Sequence, residues 1–69
     1  MGFTLKQARQ FRNLSQEKIA DMMGVHRQTY MKWEKDPDEM TIGKGKEFSR
    51  ITNIEFDEIF FNTESTLSR

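Results

Sequence analysis

Residues 15–35 read SQEKIADMMGVHRQTYMKWEK, two helical segments on either side of a glycine. The first segment, about Gln16–Met23, follows a serine, which is a preferred N-cap residue, and its apolar residues recur on one face. Gly24 comes next, and glycine adopts a positive φ without strain, so the chain can reverse direction there. The second segment, about Arg27–Lys35, has its two large aromatic residues three positions apart on one side. Two short helices joined by a tight, glycine-containing turn predict a helix-turn-helix unit.

Signals for three further helices flank this unit. Thr4, three residues before a glutamine, begins a capping-box pattern, and Asn13 can end the first helix in the left-handed conformation. Thr41 can cap a fourth helix over about Ile42–Thr52, although two glycines in its first turn each weaken it by about 1 kcal/mol relative to alanine. A last short helix is predicted over about Phe56–Phe61. No segment has a strand signal, so the predicted fold class is all-α, a compact bundle of about five short helices.

Length and composition exclude several classes of protein. The 69 residues form one domain at most, and a core of this size typically supplies only about 3–5 kcal/mol of stability. The absence of cysteine excludes a disulfide framework and a cysteine nucleophile, and it favours a cytoplasmic location. No apolar run approaches the roughly 18 residues of a membrane span, and the N-terminus has no apolar signal-peptide core. With a single histidine and no catalytic constellation, we expect no enzyme activity, no catalytic residues, no metal or other cofactor and no small-molecule ligand.

The charges are distributed unevenly along the chain. Eleven basic and eleven acidic residues give a net charge of zero. Residues 1–35, however, contain seven basic and three acidic side chains, whereas residues 36–69 contain four basic and eight acidic ones. The half that contains the helix-turn-helix unit therefore carries a positive charge, which suits an anionic partner.

The run in residues 15–35 closely resembles the Cro/C1-type helix-turn-helix family, also called XRE-like, of bacterial and phage transcriptional regulators. The resemblance rests on Ser-Gln-Glu before the first motif helix, Gly-Val at the turn, Arg-Gln-Thr opening the second motif helix and Trp-Glu near its end. It extends to LKQAR at residues 5–9 and to ITNIEFDEIFF at residues 51–61. The resemblance implies a lambda-repressor-like, sequence-specific DNA-binding domain in residues 1–61. Residues 62–69 are expected to form a flexible polar tail.

The resemblance also assigns DNA contacts to individual side chains. It places the second motif helix in the major groove, with Arg27, Gln28 and Lys32 facing the bases. Arginine suits the O6 and N7 atoms of guanine, and glutamine suits N6 and N7 of adenine. Thr29 is expected to touch a base methyl group or a phosphate. Gln16 opens the first motif helix, where free amides and the positive helix end favour a phosphate, and in similar proteins this glutamine also braces the base-reading side chains.

Several positions depart from the family pattern. The cap of the reading helix is commonly a small hydroxyl residue, and His26 in its place either caps the helix or donates to a phosphate. Tyr30 replaces the usual aliphatic residue, and its hydroxyl is expected to reach toward solvent or DNA. The loop at residues 36–39 is acidic where relatives often place glycine and basic groups beside phosphate. Lys44 and Lys46, at the start of the fourth helix, are expected to compensate as phosphate contacts.

Other residues have expected structural roles. In this family the residues at the positions of Arg9 and Glu34 commonly form a buried or half-buried ion pair between the first and third helices. One short reading helix covers only a few base pairs, so specificity usually needs two copies on half-sites about 10–10.5 base pairs apart. We therefore expect a homodimer on DNA, with an outward-facing Phe60 or Phe61 in a two-fold contact.

The predicted function is that of a sequence-specific, double-stranded DNA-binding transcriptional regulator. A phage-type or stand-alone repressor is expected, with an operator that is an inverted repeat as its partner. The alternative is a protein-interaction module such as an antitoxin, which would bind a toxin as well as DNA. Antitoxins usually need additional chain to wrap the toxin, whereas only residues 62–69 are spare here.

Overall fold

Residues 2–60 are described by a computed structural model of the chain, and they form five α-helices and one short 3-10 helix. The helices are α1 Leu5–Phe11, α2 Gln16–Met23, α3 Arg27–Lys35, α4 Ile42–Thr52 and α5 Phe56–Phe60, with the 3-10 helix at Pro37–Glu39 between α3 and α4. The predicted all-α fold class is confirmed. Phe61, the predicted last residue of α5, and the predicted tail at residues 62–69 lie outside the described residues.

Hydroxyl side chains cap three of the helices at their N-termini. The Thr4 hydroxyl accepts a hydrogen bond from the backbone N–H of Gln7 at 3.0 Å, and the Gln7 side chain accepts one from the N–H of Thr4 at 3.0 Å. This reciprocal pair is the predicted capping box. Ser15 caps α2 and Thr41 caps α4 in the same way, with distances of 3.0 and 3.2 Å. Each cap satisfies an amide that has no partner within its own helix, which explains where these helices begin.

Two of the helices, α2 and α4, end at residues with left-handed backbone conformation. Gly24 ends α2 with φ 70°, and Asn53 ends α4 with φ 58°. Asn13, in the loop after α1, also has φ 58°. Glycine and asparagine tolerate this region better than other residues, so the predicted ends of these helices have a local physical cause.

The core lies where all five helices meet. Tyr30 of α3 stacks on Phe48 of α4 with ring centroids 6.2 Å apart, and Trp33 meets Tyr30 edge-on at 6.3 Å. The remaining core side chains are aliphatic or methionine and come from α1, α2, α5 and the loops after the 3-10 helix and α4: Leu5, Ala8, Ile19, Ala20, Met23, Met40, Ile54 and Ile59. This packing, rather than helix propensity, stabilises helices as short as these.

Gly45 allows α5 to approach α4 closely. A Cβ atom at this position would lie 2.9 Å from Cε1 of Phe56 and 3.2 Å from Cε2 of Phe60. At Gly43, by contrast, a Cβ atom would meet nothing within 4 Å. Both glycines weaken the first turn of α4, but only Gly45 has a packing reason for being glycine.

Candidate nucleic-acid interface

Backbone hydrogen bonds hold the turn between α2 and α3. The N–H of Gly24 donates to the Asp21 carbonyl at 3.1 Å, and the N–H of Val25 donates to the Ala20 carbonyl at 3.0 Å. These bonds satisfy carbonyl groups at the end of α2 that have no partner within the helix. α2 and α3 then pack directly against each other. The unit predicted from residues 15–35 is therefore a well-defined helix-turn-helix.

α3 has an inner side and an outer side of different character. On the inner side Tyr30 is fully buried and Trp33 is 8% exposed. On the outer side the four predicted base-contact residues, Arg27, Gln28, Thr29 and Lys32, are all exposed. The two aromatic anchors thus fix the rotation of α3 so that its polar side chains face away from the core.

Met31 and Lys35 share the outer face of α3, although the sequence assigned them no contact role. Together with Gln28 and Lys32 they line a shallow depression of about 250 Å³. The spacing i, i+3, i+4 and i+7 places all four on one helix face. Because this spacing can be read from the sequence, it is the signal by which Met31 and Lys35 could have been identified as members of this face.

Arg9 and Glu34 form an ion pair that joins α1 to α3. Arg9 Nε donates to Glu34 Oε2 at 2.6 Å, and both side chains are at most 10% exposed. A second guanidinium nitrogen of Arg9 donates to the Leu14 carbonyl at 2.8 Å. The guanidinium group therefore connects α1, the following loop and α3.

The ion pair changes the pKa values of both groups. The hydrogen bond to Glu34 raises the pKa of Arg9, against the opposing effect of burial. Burial alone would raise the pKa of the Glu34 carboxyl, but the neighbouring Arg9, Tyr30 and Gln16 side chains outweigh it, and the pKa is lowered. The charged form of both side chains is therefore favoured in the folded protein.

Gln16 is attached to this ion pair. Its Nε2 donates to Oε1 of Glu34 at 3.0 Å, the oxygen that Arg9 Nε does not use. Gln16 is half-buried at the first position of α2, next to the N-terminal amides of that helix. A phosphate oxygen at this point would meet those amides and a carboxamide whose orientation Glu34 fixes.

The prediction that the Tyr30 hydroxyl reaches toward solvent or DNA is wrong. The side chain is completely buried, and its oxygen forms no well-aligned hydrogen bond within residues 2–60, although it lies beside Glu34 and Arg9. Burial raises the pKa of the phenol well above its usual range. The ring fills the space between Trp33 and Phe48, so the side chain extends into the core instead of along the surface.

His26 and the acidic loop are both exposed at the ends of α3. His26 occupies the N-cap position, but its imidazole makes no capping hydrogen bond to the described part of the chain. Its side chain is exposed, which is compatible with donation to a phosphate. At the other end of α3, Asp36 is followed by the 3-10 helix Pro37–Glu39, which is exposed throughout.

The two lysines at the start of α4 differ in environment. The Lys44 ammonium donates to the Met23 carbonyl at the end of α2 at 2.9 Å, and it contacts Glu47 Oε1 at 3.2 Å. Lys46 is exposed. Lys44 therefore joins α4 to the C-terminus of α2, and reaching a phosphate would require it to leave that carbonyl.

Phe60 is half-buried at the end of α5. Its ring lies 4.7 Å from that of Phe56 and lines an apolar pocket of about 250 Å³ between α4, α5 and the 3-10 helix. Ile42, on the rim of the pocket, is 69% exposed. Phe61, the other residue expected in a dimer contact, lies outside the described residues.

Two absences apply to residues 2–60. No three His, Asp or Glu side chains lie together as a possible metal site in this part of the chain. No helix within the described range has the length and hydropathy needed to cross a membrane.

Comparison with known proteins identifies one family. The family described as helix-turn-helix matches residues 5–59, which begin at α1 and end within α5. No curated protein and no solved structure matches the chain. The match extends over the whole set of helices and is not confined to the two helices of the motif.

Proposed function

The chain belongs to the Cro/C1-type helix-turn-helix family of DNA-binding regulators, and we propose that it is a repressor that binds a specific operator with α3 in the major groove. The observation that carries this proposal is the outer side of α3, where exposed polar side chains stand opposite two buried aromatic anchors. A helix presented in this way fits the width of the major groove.

The residues at the start of α3 are the proposed base contacts. In helix-turn-helix proteins the N-terminal residues of the reading helix contact the base edges. Arg27 suits guanine and Gln28 suits adenine, each through two hydrogen bonds that discriminate by about 1–3 kcal/mol. Lys32, one turn further along, suits guanine O6 or N7, and Thr29 suits a base methyl group or a phosphate.

Phosphate contacts are proposed for residues that precede α3 and for residues that follow it in the chain. Gln16 offers its carboxamide and the first amides of α2, and His26 offers an imidazole at the start of α3. Lys46 adds an exposed cation from α4. Lys44 contributes only if its ammonium exchanges the Met23 carbonyl for a phosphate oxygen.

Selection of binding sites from a random duplex library with the purified protein tests this function directly. The expected product is an inverted repeat with half-sites about 10–10.5 base pairs apart, as a homodimer requires. Arg27→Ala should then relax the preference at one base position. Arg50→Ala, which removes the same charge from an exposed site on α4, should leave it unchanged. Absence of any enriched duplex would refute the proposal and favour a protein partner such as a toxin.

Salt dependence separates the reading residues from the positioning residues. For duplex DNA the slope of log affinity against log salt is about −0.9 per phosphate contact. Lys46→Ala should therefore make the slope less steep by about 0.9, the value of one phosphate contact, and it should weaken binding to all DNA sequences alike. If Lys46→Ala and Arg27→Ala each lower the affinity for every DNA sequence by a constant factor, the division into base-reading and phosphate-contacting residues is wrong.

The dimer contact is proposed at the end of α5. Phe60 and the exposed Ile42 present apolar surface beside the pocket between α4 and α5. The double variant Phe60→Ala/Phe61→Ala should sediment as a monomer and lose cooperative binding to the inverted repeat. Dimers that persist in this variant would exclude these two residues as the contact.

A further inference from the structure

The depression on the outer face of α3 has an apolar centre with polar surroundings. Met31 is half-buried, whereas its three neighbours in the depression, Gln28, Lys32 and Lys35, are exposed. A methionine side chain is flexible and polarisable, so it adapts to a small apolar group placed against it. The depression is shallow and open, which suits the edge of a flat molecule better than an enclosed ligand.

The charges around the depression favour a polyanion. Neither ion pair in residues 2–60 involves Lys32 or Lys35. Glu34, the carboxylate between them in the sequence, is engaged by Arg9 on the opposite side of the helix. Two cations without an acidic partner in the described chain thus flank an apolar residue.

We propose that Met31 is a specificity-determining residue that contacts the 5-methyl group of a thymine in each operator half-site. The inference rests on the proposed function, since it assumes that α3 lies in the major groove. Among the groups that base pairs present there, the thymine methyl is the one apolar group, and the others are hydrogen-bond donors or acceptors. Met31 offers the matching apolar surface, while Lys35 faces the anionic backbone and Gln28 and Lys32 read adjacent bases.

Deoxyuridine provides a direct test, because it differs from thymidine only by the missing methyl group. Each thymine of the selected operator is replaced in turn, and the affinity is measured by fluorescence anisotropy. Replacement at one position per half-site should weaken binding of the unmodified protein about fourfold, the factor that burial of one methyl group provides. Replacement at thymines whose methyl group no side chain of α3 contacts should have less effect.

Two methionine variants separate this contact from a general effect of the substitution. Met31→Ala should bind the thymine and uracil operators equally, with the thymine operator weakened to the level of the uracil one. Met22→Ala removes a methionine that is 46% exposed on α2 and should keep the fourfold ratio. Circular dichroism of both variants verifies that they remain folded.

Each outcome has a defined meaning. The proposal is supported if the unmodified protein and Met22→Ala bind the thymine operator about fourfold more tightly than the uracil operator and Met31→Ala does not. Equal affinity for thymine and uracil at every position, or a ratio that Met31→Ala leaves unchanged, overturns it while the proposed function stands. Failure to enrich any duplex overturns the proposed function and this inference together.

Discussion

Replacement of Glu34 by glutamine removes the negative charge beside Arg9 while keeping the size of the side chain. The two groups are separated by 2.6 Å and are each at most 10% exposed, so water cannot replace the lost carboxylate. Breaking a buried ion pair by removing one partner costs about 3–5 kcal/mol, because the other charge remains buried without compensation. The total stability expected for a domain of this length is about 3–10 kcal/mol, so the loss should be a large part of it.

Urea unfolding at pH 7, followed by circular dichroism, measures the effect. Glu39→Gln makes the same chemical change at an exposed position of the 3-10 helix and should alter stability by less than about 0.5 kcal/mol. The double variant Arg9→Met/Glu34→Met removes both charges and should recover most of the stability, because a buried pair and an apolar pair are often equivalent. A cost for Glu34→Gln below about 1 kcal/mol, as for an exposed pair, would refute the reasoning.

The same ion pair predicts a dependence of stability on pH. The folded protein lowers the pKa of Glu34 below its ordinary value of 4.5. The stabilisation is therefore complete above pH 4.5 and is lost as the pH falls through the folded-state pKa. The difference in the free energy of unfolding between the unmodified protein and Glu34→Gln should be constant from pH 7 to about pH 5 and shrink below pH 4.5. A difference that grows on acidification would have the wrong sign.

Three further features of the fold are tested by substitution with the same unfolding measurement. Gly45→Ala should destabilise the protein by about 1–2 kcal/mol, because the new methyl group overpacks against the rings of α5. Gly43→Ala, with nothing within 4 Å, should stabilise it by about 1 kcal/mol, and equal effects would contradict the close approach. Lys44→Met should cost about 0.5–1.5 kcal/mol, because the carbonyl at the end of α2 loses its donor, whereas Lys46→Met should cost little. Tyr30→Phe should change stability by less than about 1 kcal/mol, because the buried hydroxyl forms no well-aligned hydrogen bond but lies beside the Glu34 carboxylate. A larger decrease would instead show that the hydroxyl makes a hydrogen bond.

The helix boundaries were predictable because their causes are local. Thr4, Ser15 and Thr41 cap helices through atoms three residues away, and Gly24 and Asn53 end helices through their own backbone conformation. Such effects depend on a few neighbouring residues, and a pattern in the sequence records them completely.

Features that depend on distant residues were not predictable in the same way. The Lys44 ammonium bonds to a carbonyl 21 positions earlier, and the need for glycine at position 45 arises from rings on another helix. Periodicity placed Tyr30 on the inner side of α3, but it carries no information on depth, so the buried hydroxyl was missed. Ile42 is apolar yet 69% exposed, because it lies at the first position of α4, at the rim of a pocket.

The separation of α3 into an inner and an outer side has a consequence for how the DNA-binding specificity of this protein can evolve. Tyr30 and Trp33 maintain the core, and the side chains on the opposite side make no contribution to it. Under the proposed function, exchanging the outer residues one at a time should alter the preferred DNA sequence without disturbing the core. Successive single substitutions on this side should then give a new operator preference with the fold intact, and transplanting the outer residues into a related protein should transfer the preference with them.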